Sequence, residues 1–166
     1  MIAVDKEELQ KKIDYVLNEY HSYLHEVLPK IEKLLLRIQR RYKHPTGVQR
    51  EIVQVMTVIR AELSSHLFKE EETLFPMMLE FVSTDDVTEK QEIQKTLATL
   101  LEVMLGEHEG LEFLMEKAQT IASNLTDSNE DFIRLTQALN KIQENVKVHS
   151  KYEDEHLFNP MESTFQ

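Results

Sequence analysis

Apolar residues recur at steps of three and four along almost the whole chain, in four long stretches parted by three short breaks. That spacing commits the chain to packed amphipathic helices. In the first stretch, from about Lys6 to Tyr42, the residues Ile13, Val16, Leu17, Tyr20, Leu24 and Leu28 fall on one helical face. Pro29 lies inside it and is expected to kink the helix without ending it, because the pattern resumes at Ile31 and Leu34. His44-Pro45-Thr46-Gly47 reads as a turn. A second helix is predicted from about Val48 to Leu79, followed by a break at Ser83-Thr84-Asp85-Asp86 that offers an N-cap. The third helix runs to about Ile121. Ser123-Asn124-Leu125-Thr126-Asp127-Ser128-Asn129 then separates it from a fourth, from about Glu130 to Phe158. No stretch alternates with the period of a strand, and no glycine-rich phosphate loop occurs. With only 3 Gly and 4 Pro in 166 residues, little else interrupts the helices. Four helices of similar length with short connections predict an all-α, up-down-up-down four-helix bundle, forming one domain over residues 1–166.

Charge narrows the partners. The chain carries 19 Lys and Arg against 30 Asp and Glu, a formal net charge of -11. A field of that sign repels nucleic-acid phosphates and anionic lipid, so neither nucleic acid nor membrane is an expected partner. There is no cysteine, which removes disulfides, thiolate metal sites and thiol nucleophiles. No apolar run of spanning length occurs, and the opening Met-Ile-Ala-Val-Asp5-Lys6 does not read as a secretory leader. A soluble cytoplasmic protein is the expectation.

Two helices carry the same short motif. The second contains His66-Leu67-Phe68-Lys69-Glu70, continuing to Leu74-Phe75-Pro76. The fourth contains His149-Ser150-Lys151-Tyr152-Glu153, continuing to Leu157-Phe158-Asn159-Pro160. Both read His-x-x-x-Glu, then Leu-Phe, then Pro after zero or one residue. Residues four apart lie on one face, roughly 6 Å apart along the helix axis. A histidine and a carboxylate so placed can bind one metal ion or two adjacent ones. Imidazole with carboxylate and no thiolate suits iron, manganese or zinc. The first and third helices offer single histidines at matching places, His21 in the first half of its helix and His108 in the third. In an antiparallel bundle these meet His66 and His149 at one level.

These pieces resemble the hemerythrin-like superfamily. They are most similar to its branch of iron-sulfur cluster repair di-iron proteins, the repair-of-iron-centres family. The residues that carry the resemblance are Tyr20-His21 with Leu28-Pro29, Glu62-Leu63-Ser64-Ser65-His66 with Lys69-Glu70-Glu71 and Leu74-Phe75-Pro76, Glu107-His108-Glu109, and His149 with Glu153 and Leu157-Phe158. The resemblance implies a metal centre of two iron ions with His21, His66, His108 and His149 as terminal ligands. Glu70 and Glu153 bridge the irons beside an oxo or hydroxo group. It implies five ligands on each iron and one open position, where nitric oxide or oxygen can react. The implied role is repair of iron-sulfur clusters damaged by nitrosative or oxidative stress, through iron delivery to damaged iron-sulfur proteins or handling of nitric oxide. The alternative within the superfamily is oxygen binding, sensing or iron storage. Oxygen-carrying hemerythrins usually add a fifth histidine four residues after the ligand on the third helix, where this chain has Glu112. They also use a carboxylate five residues after the histidine on the fourth helix, where this chain has Asp154. The internal repeat favours Glu153 instead. Many members of the repair branch carry a small cysteine-containing domain ahead of the bundle, and this sequence has no cysteine.

Plainer readings apply to the neighbouring residues. Glu71 and Glu72 read as a solvated helix face. His25, four after His21, reads as a surface or supporting residue. His44 lies roughly 34 Å along the helix from His21, too far to share the site. His156 reads as solvent-exposed, with an access path as the alternative. Phe68, Phe75, Phe113, Phe158, Met77 and Met78 read as core. Tyr20 and Tyr152, next to ligand positions, read either as hydrogen-bond partners of the ligands or as packing.

Overall fold

The computed structural model describes residues 4–126 and 129–165, and all regular structure among them is helical. The opening residues Met1–Ala3 and the loop residues Asp127 and Ser128 of the third predicted break lie outside the described residues. The first long helix comprises α1 (Lys6–Val16), a π turn at Leu17–His21 and α2 (Ser22–Arg41). The second comprises α3 (Gly47–Lys69), a π turn at Glu70–Leu74 and α4 (Phe75–Ser83). The third is the uninterrupted α5 (Val87–Ser123). The fourth comprises α6 (Glu130–Glu153), a π turn at Asp154–Phe158 and α7 (Asn159–Glu162). The all-α four-helix bundle is thus as expected, and α2 continues through Pro29.

Each helix begins where a side chain can satisfy its first free amides. Asp5 accepts from the Glu8 N–H at 2.9 Å. Thr46 and Gln49 cap each other reciprocally at the start of α3. Asp86 accepts from Thr88 and Glu89 at the start of α5, and Asn129 from Asp131 at the start of α6. The far end of the bundle is pinned by buried Asp131, whose carboxylate takes Arg37 of α2 at 2.6 Å and Arg41 at 3.3 Å.

The interior divides into two apolar blocks. One gathers Leu24 to Ile38, Ile52 to Leu67, Leu111 to Ala118 and Phe132 to Val146. The other gathers Leu9 to Val16, Leu74 to Phe81, Leu97 to Met104 and Leu157 to Met161. On the first, third and fourth long helices the sequence gap between the two blocks holds a buried histidine, and on the second the buried His66 lies one residue before the gap, beside Leu67. The second and fourth helices add a buried glutamate in the gap. The bundle therefore carries one polar layer between two apolar ones, and those apolar blocks wall the layer from water.

Two core expectations fail. Phe68 and Phe113 are 65% and 66% exposed, whereas Phe75, Phe158 and Met78 are buried and Met77 is half-buried. The reason is phase. Phe68 lies two positions from His66, and consecutive residues on a helix turn by about 100°, so an inward His66 sends Phe68 outward. Phe113 stands in the same relation to inward Leu111 on α5.

Candidate metal centre

The polar layer brings His21, His66, Glu70, His108, His149 and Glu153 together. All six are buried, the two glutamates completely. Their donor atoms form two overlapping groups. His21, His149, Glu70 and Glu153 make the first, and His66, His108, Glu70 and Glu153 the second, with all atoms in each group within 4.8 Å of one another. Each glutamate divides its oxygens between the two groups. Glu70 Oε2 lies 3.3 Å from His21 Nε2, and its Oε1 lies 3.3 Å from His66 Nε2 and 3.8 Å from His108 Nε2. Glu153 Oε1 lies 2.8 Å from His149 Nε2 and 3.5 Å from His21 Nε2, while its Oε2 lies 3.3 Å from His108 Nε2.

Helix geometry places the glutamates. His66 and Glu70 are four apart where α3 passes into its π turn, as are His149 and Glu153 at the end of α6, so each pair shares a face. A π turn begins at Glu70 on the second helix and at Asp154 on the fourth, and another ends at His21 on the first. Each is closed by an i→i+5 bond, from Phe75 N–H to the Glu70 carbonyl and from Asn159 N–H to that of Asp154. Ser22 N–H makes the same bond to the Leu17 carbonyl. Such a turn inserts one residue and shifts the helix phase, and π turns concentrate at functional sites. Pro76 and Pro160 each sit at the second residue beyond a π turn, where the chain re-enters an α-helix. The motif's variable spacing before proline follows from this register. The π turn opens on the buried Glu70 in one copy and one residue after the buried Glu153 in the other.

The outer nitrogens of the histidines are also engaged. His21 Nδ1 donates to Glu71 at 2.7 Å, His66 Nδ1 to Glu107 at 3.0 Å and His108 Nδ1 to Asp154 at 2.9 Å. A carboxylate can only accept, so these bonds keep a proton on Nδ1, and in the neutral imidazole Nε2 is the lone pair that faces the centre. Glu71 also takes His25 Nε2 at 2.7 Å, and Glu107 also takes Lys69. Glu71 is therefore a partner of the site, not the solvated residue its composition implied. His25 serves as its support. Asp154 holds His108 from outside and belongs to neither donor group. The sequence carried a signal for all three: Glu71 follows Glu70, Asp154 follows Glu153, and Glu107 precedes His108. Aromatic rings pack the imidazoles further, with Tyr20 stacked on His149, Phe75 on His21 and Phe158 on His108. Tyr20 thus supports the His149 ring by stacking. Tyr152 packs on Tyr15 and on the exposed ring of His156. His44 is exposed in the connection beyond α2, away from the layer.

Electrostatics favour positive charge here. Burial alone would lower the His21 pKa, but the close carboxylates of Glu153 and Glu70 raise it to about 10. The same contest raises His66 to about 9, chiefly through the charge of Glu70, and His108 to about 11, chiefly through Asp154 and Glu153. Burial opposes ionisation of Glu70, yet the charge of His66 and the contacts of His108 and His21 hold its carboxyl well below the usual range. Burial and the charge of Glu70 push Glu153 up, and His149 and His108 outweigh them, bringing it to about 2.

Both oxygens of Glu70, Oε2 of Glu153 and Nε2 of His108 are buried with no hydrogen-bond partner among the described residues. Buried acceptors left this way are costly. A cation in each donor group satisfies all four, so the residues fit a pair of metal ions held by nitrogen and oxygen. A groove of about 570 Å³ between α5 and α6 reaches the layer at His108 and Asp154. Glu109, Glu112, Lys147 and Lys151 line it. Glu112, at the place where oxygen carriers usually have a fifth histidine, faces this groove and joins neither donor group.

No family model matches the chain. Among curated proteins it is similar to the iron-sulfur cluster repair protein YtfE of Cronobacter sakazakii, with 26% identity over 153 residues. That match covers 90% of this chain and 64% of the relative. The proteins of the same name from Salmonella newport and Salmonella agona are 26% identical over 149 residues, covering 88% of this chain and 63% of each relative. The chain thus spans a little under two thirds of the length of these relatives. The resemblance to the repair branch read from the motifs is borne out by them. No helix among the described residues is long and apolar enough to cross a membrane.

Proposed function

We propose that this relative of the iron-sulfur cluster repair proteins is a cytoplasmic, single-domain di-iron protein that helps restore iron-sulfur clusters damaged by nitrosative or oxidative stress. The observation that carries the reading is the divided coordination offered by Glu70 and Glu153. Each completely buried carboxylate presents one oxygen to each of two histidine pairs. Two iron ions fit that pattern, one between His21 and His149 and one between His66 and His108. Such ions supply open positions for nitric oxide or oxygen and an exchangeable ferrous ion for a damaged cluster.

The chain's own residues set the conditions of exchange. His21, His66 and His108 hold protons more firmly than a free imidazole, so a cation bound at their Nε2 atoms would displace protons. The high pKa values of His21, His66 and His108 mean that the glutamates stabilise a positive charge of either kind, ion or proton. With no ion in place, protonated His21, His66 and His108 would face the carboxylates, so Glu70 and Glu153 would not be left as bare buried anions. The stacked rings of Phe75 and Phe158 and the flanking apolar blocks keep bulk water from the layer.

Two measurements test the reading. Metal analysis and an optical spectrum after anaerobic loading with ferrous iron should give two irons per chain. Uptake below one iron per chain overturns it. The loaded protein should also restore activity to an iron-sulfur enzyme inactivated by nitric oxide, beyond the recovery given by the same amount of free ferrous iron. Recovery no better than free iron removes the repair role and leaves the metal centre standing.

A further inference from the structure

The inference that follows rests on the two-ion reading above. The two ion positions have the same inner donors, two imidazole nitrogens and two carboxylate oxygens each, but their outer partners differ. His66 and His108 are both held by a carboxylate at Nδ1, from Glu107 and Asp154. Among the described residues Asp154 serves His108 alone, while Glu107 also takes Lys69. On the other side, His21 shares Glu71 with His25. His149 bonds only through Nε2, to His21 and Glu153, and no described residue takes its Nδ1. Its ring is steadied instead by Tyr20, stacked at 5.4 Å and 14°. Stacking fixes the plane of a ring but adds no negative charge behind it.

A carboxylate on the outer nitrogen fixes the tautomer and rotation of a ligating imidazole and raises its basicity. Removing one typically costs 10–100-fold in metal affinity. We propose that the position between His66 and His108 holds its ion more tightly than the position between His21 and His149, with Glu71, Glu107 and Asp154 as the positioning residues that set the ranking. The pair of ions is then graded. The ion between His21 and His149 leaves first, and the other keeps the polar layer closed. For a protein that donates ferrous iron, one ion is cargo and its neighbour is structure.

Equilibrium titration of the metal-free protein with cobalt(II) tests the ranking, because it reads affinity and not access. Visible absorption and calorimetry should resolve two steps at least about tenfold apart. Glu107→Gln and Asp154→Asn should each weaken the tighter step by about 10–100-fold and narrow the gap. Glu71→Gln should weaken the weaker step and widen it. These three side chains are partly exposed, and the amides preserve their volume, so the fold tolerates the change. Two equal steps in the unaltered protein, or all three variants moving the same step, overturn the ranking while leaving two bound ions. Failure to take up cobalt at all overturns both the ranking and the two-ion reading.

Discussion

His21 Nε2 stands 2.9 Å from His149 Nε2 in the middle of the bundle, while His21 Nδ1 turns outward to Glu71. With a proton held on Nδ1, the inner nitrogen of neutral His21 presents a lone pair to its neighbour. Such a pair of nitrogens is stable only around a shared proton or a cation. His149→Ala and His66→Ala should each lower the iron content after anaerobic loading, as each removes one donor from a different group. His44→Ala, at an exposed site beyond α2, should keep two irons per chain. Equal losses in all three would refute the assignment.

Glu70→Gln should cost both ions and not one. Its Oε2 faces His21, and its Oε1 faces His66 and His108. The amide fills the same space, removes the charge and presents a nitrogen to one side. Iron content measured after loading should fall from two to below one per chain. Retention of one full equivalent would show that Glu70 serves a single position.

The metal-free protein should lose stability on both sides of a plateau. Three histidines have raised values, at about 10, 9 and 11 for His21, His66 and His108. Their stabilisation is complete below the unfolded value near 6.5 and is lost as pH rises through the folded values. Glu153 has a lowered value, about 2, so its contribution is complete above the ordinary value near 4.5 and is lost as pH falls toward 2. The melting temperature of metal-free protein should therefore be highest between about pH 4.5 and 6.5 and decline toward pH 10. Bound metal should reverse the alkaline trend, since ions compete with those protons. A metal-free melting temperature that climbs from pH 6.5 to 9 would contradict the charge balance of the layer.

Packing makes a separate prediction. Phe132 is fully buried in the larger apolar block, so Phe132→Ala should cost about 3–5 kcal/mol in urea unfolding. Phe68→Ser changes a side chain that is mostly in solvent and should stay within about 0.5 kcal/mol. Comparable losses at both positions would place Phe68 in the core after all.

Much of the architecture was legible before any coordinates. Ile13, Val16, Leu24, Leu28 and Ile31 recur at helical spacing and are all buried, because burying an apolar stripe is the main return on forming an amphipathic helix. His66 with Glu70, and His149 with Glu153, stood out because four residues make about one turn, which leaves few faces to choose from. The π turns were not legible. Each inserts a single residue into a helix without a change in composition, so α1 and α2 read as one run from Lys6 to Tyr42. Phe68 and Phe113 were misplaced for a related reason. Residue type favours burial, but position on the helix decides it.

What the sequence by itself determined is the set of elements and which histidines and glutamates share a helix face. Local spacing is a property of one helix, and a His-x-x-x-Glu pair shares a face whatever packs against it. What only the tertiary structure decided is which donors meet. It joined His21 to His149 and His66 to His108, split the oxygens of Glu70 and Glu153 between the two pairs, and set Glu71, Glu107 and Asp154 as partners of the imidazoles. Those relations span separations of 41 to 128 residues. They are set by how four helices dock, through burial and charge acting together in space, and no periodicity along a single chain records them.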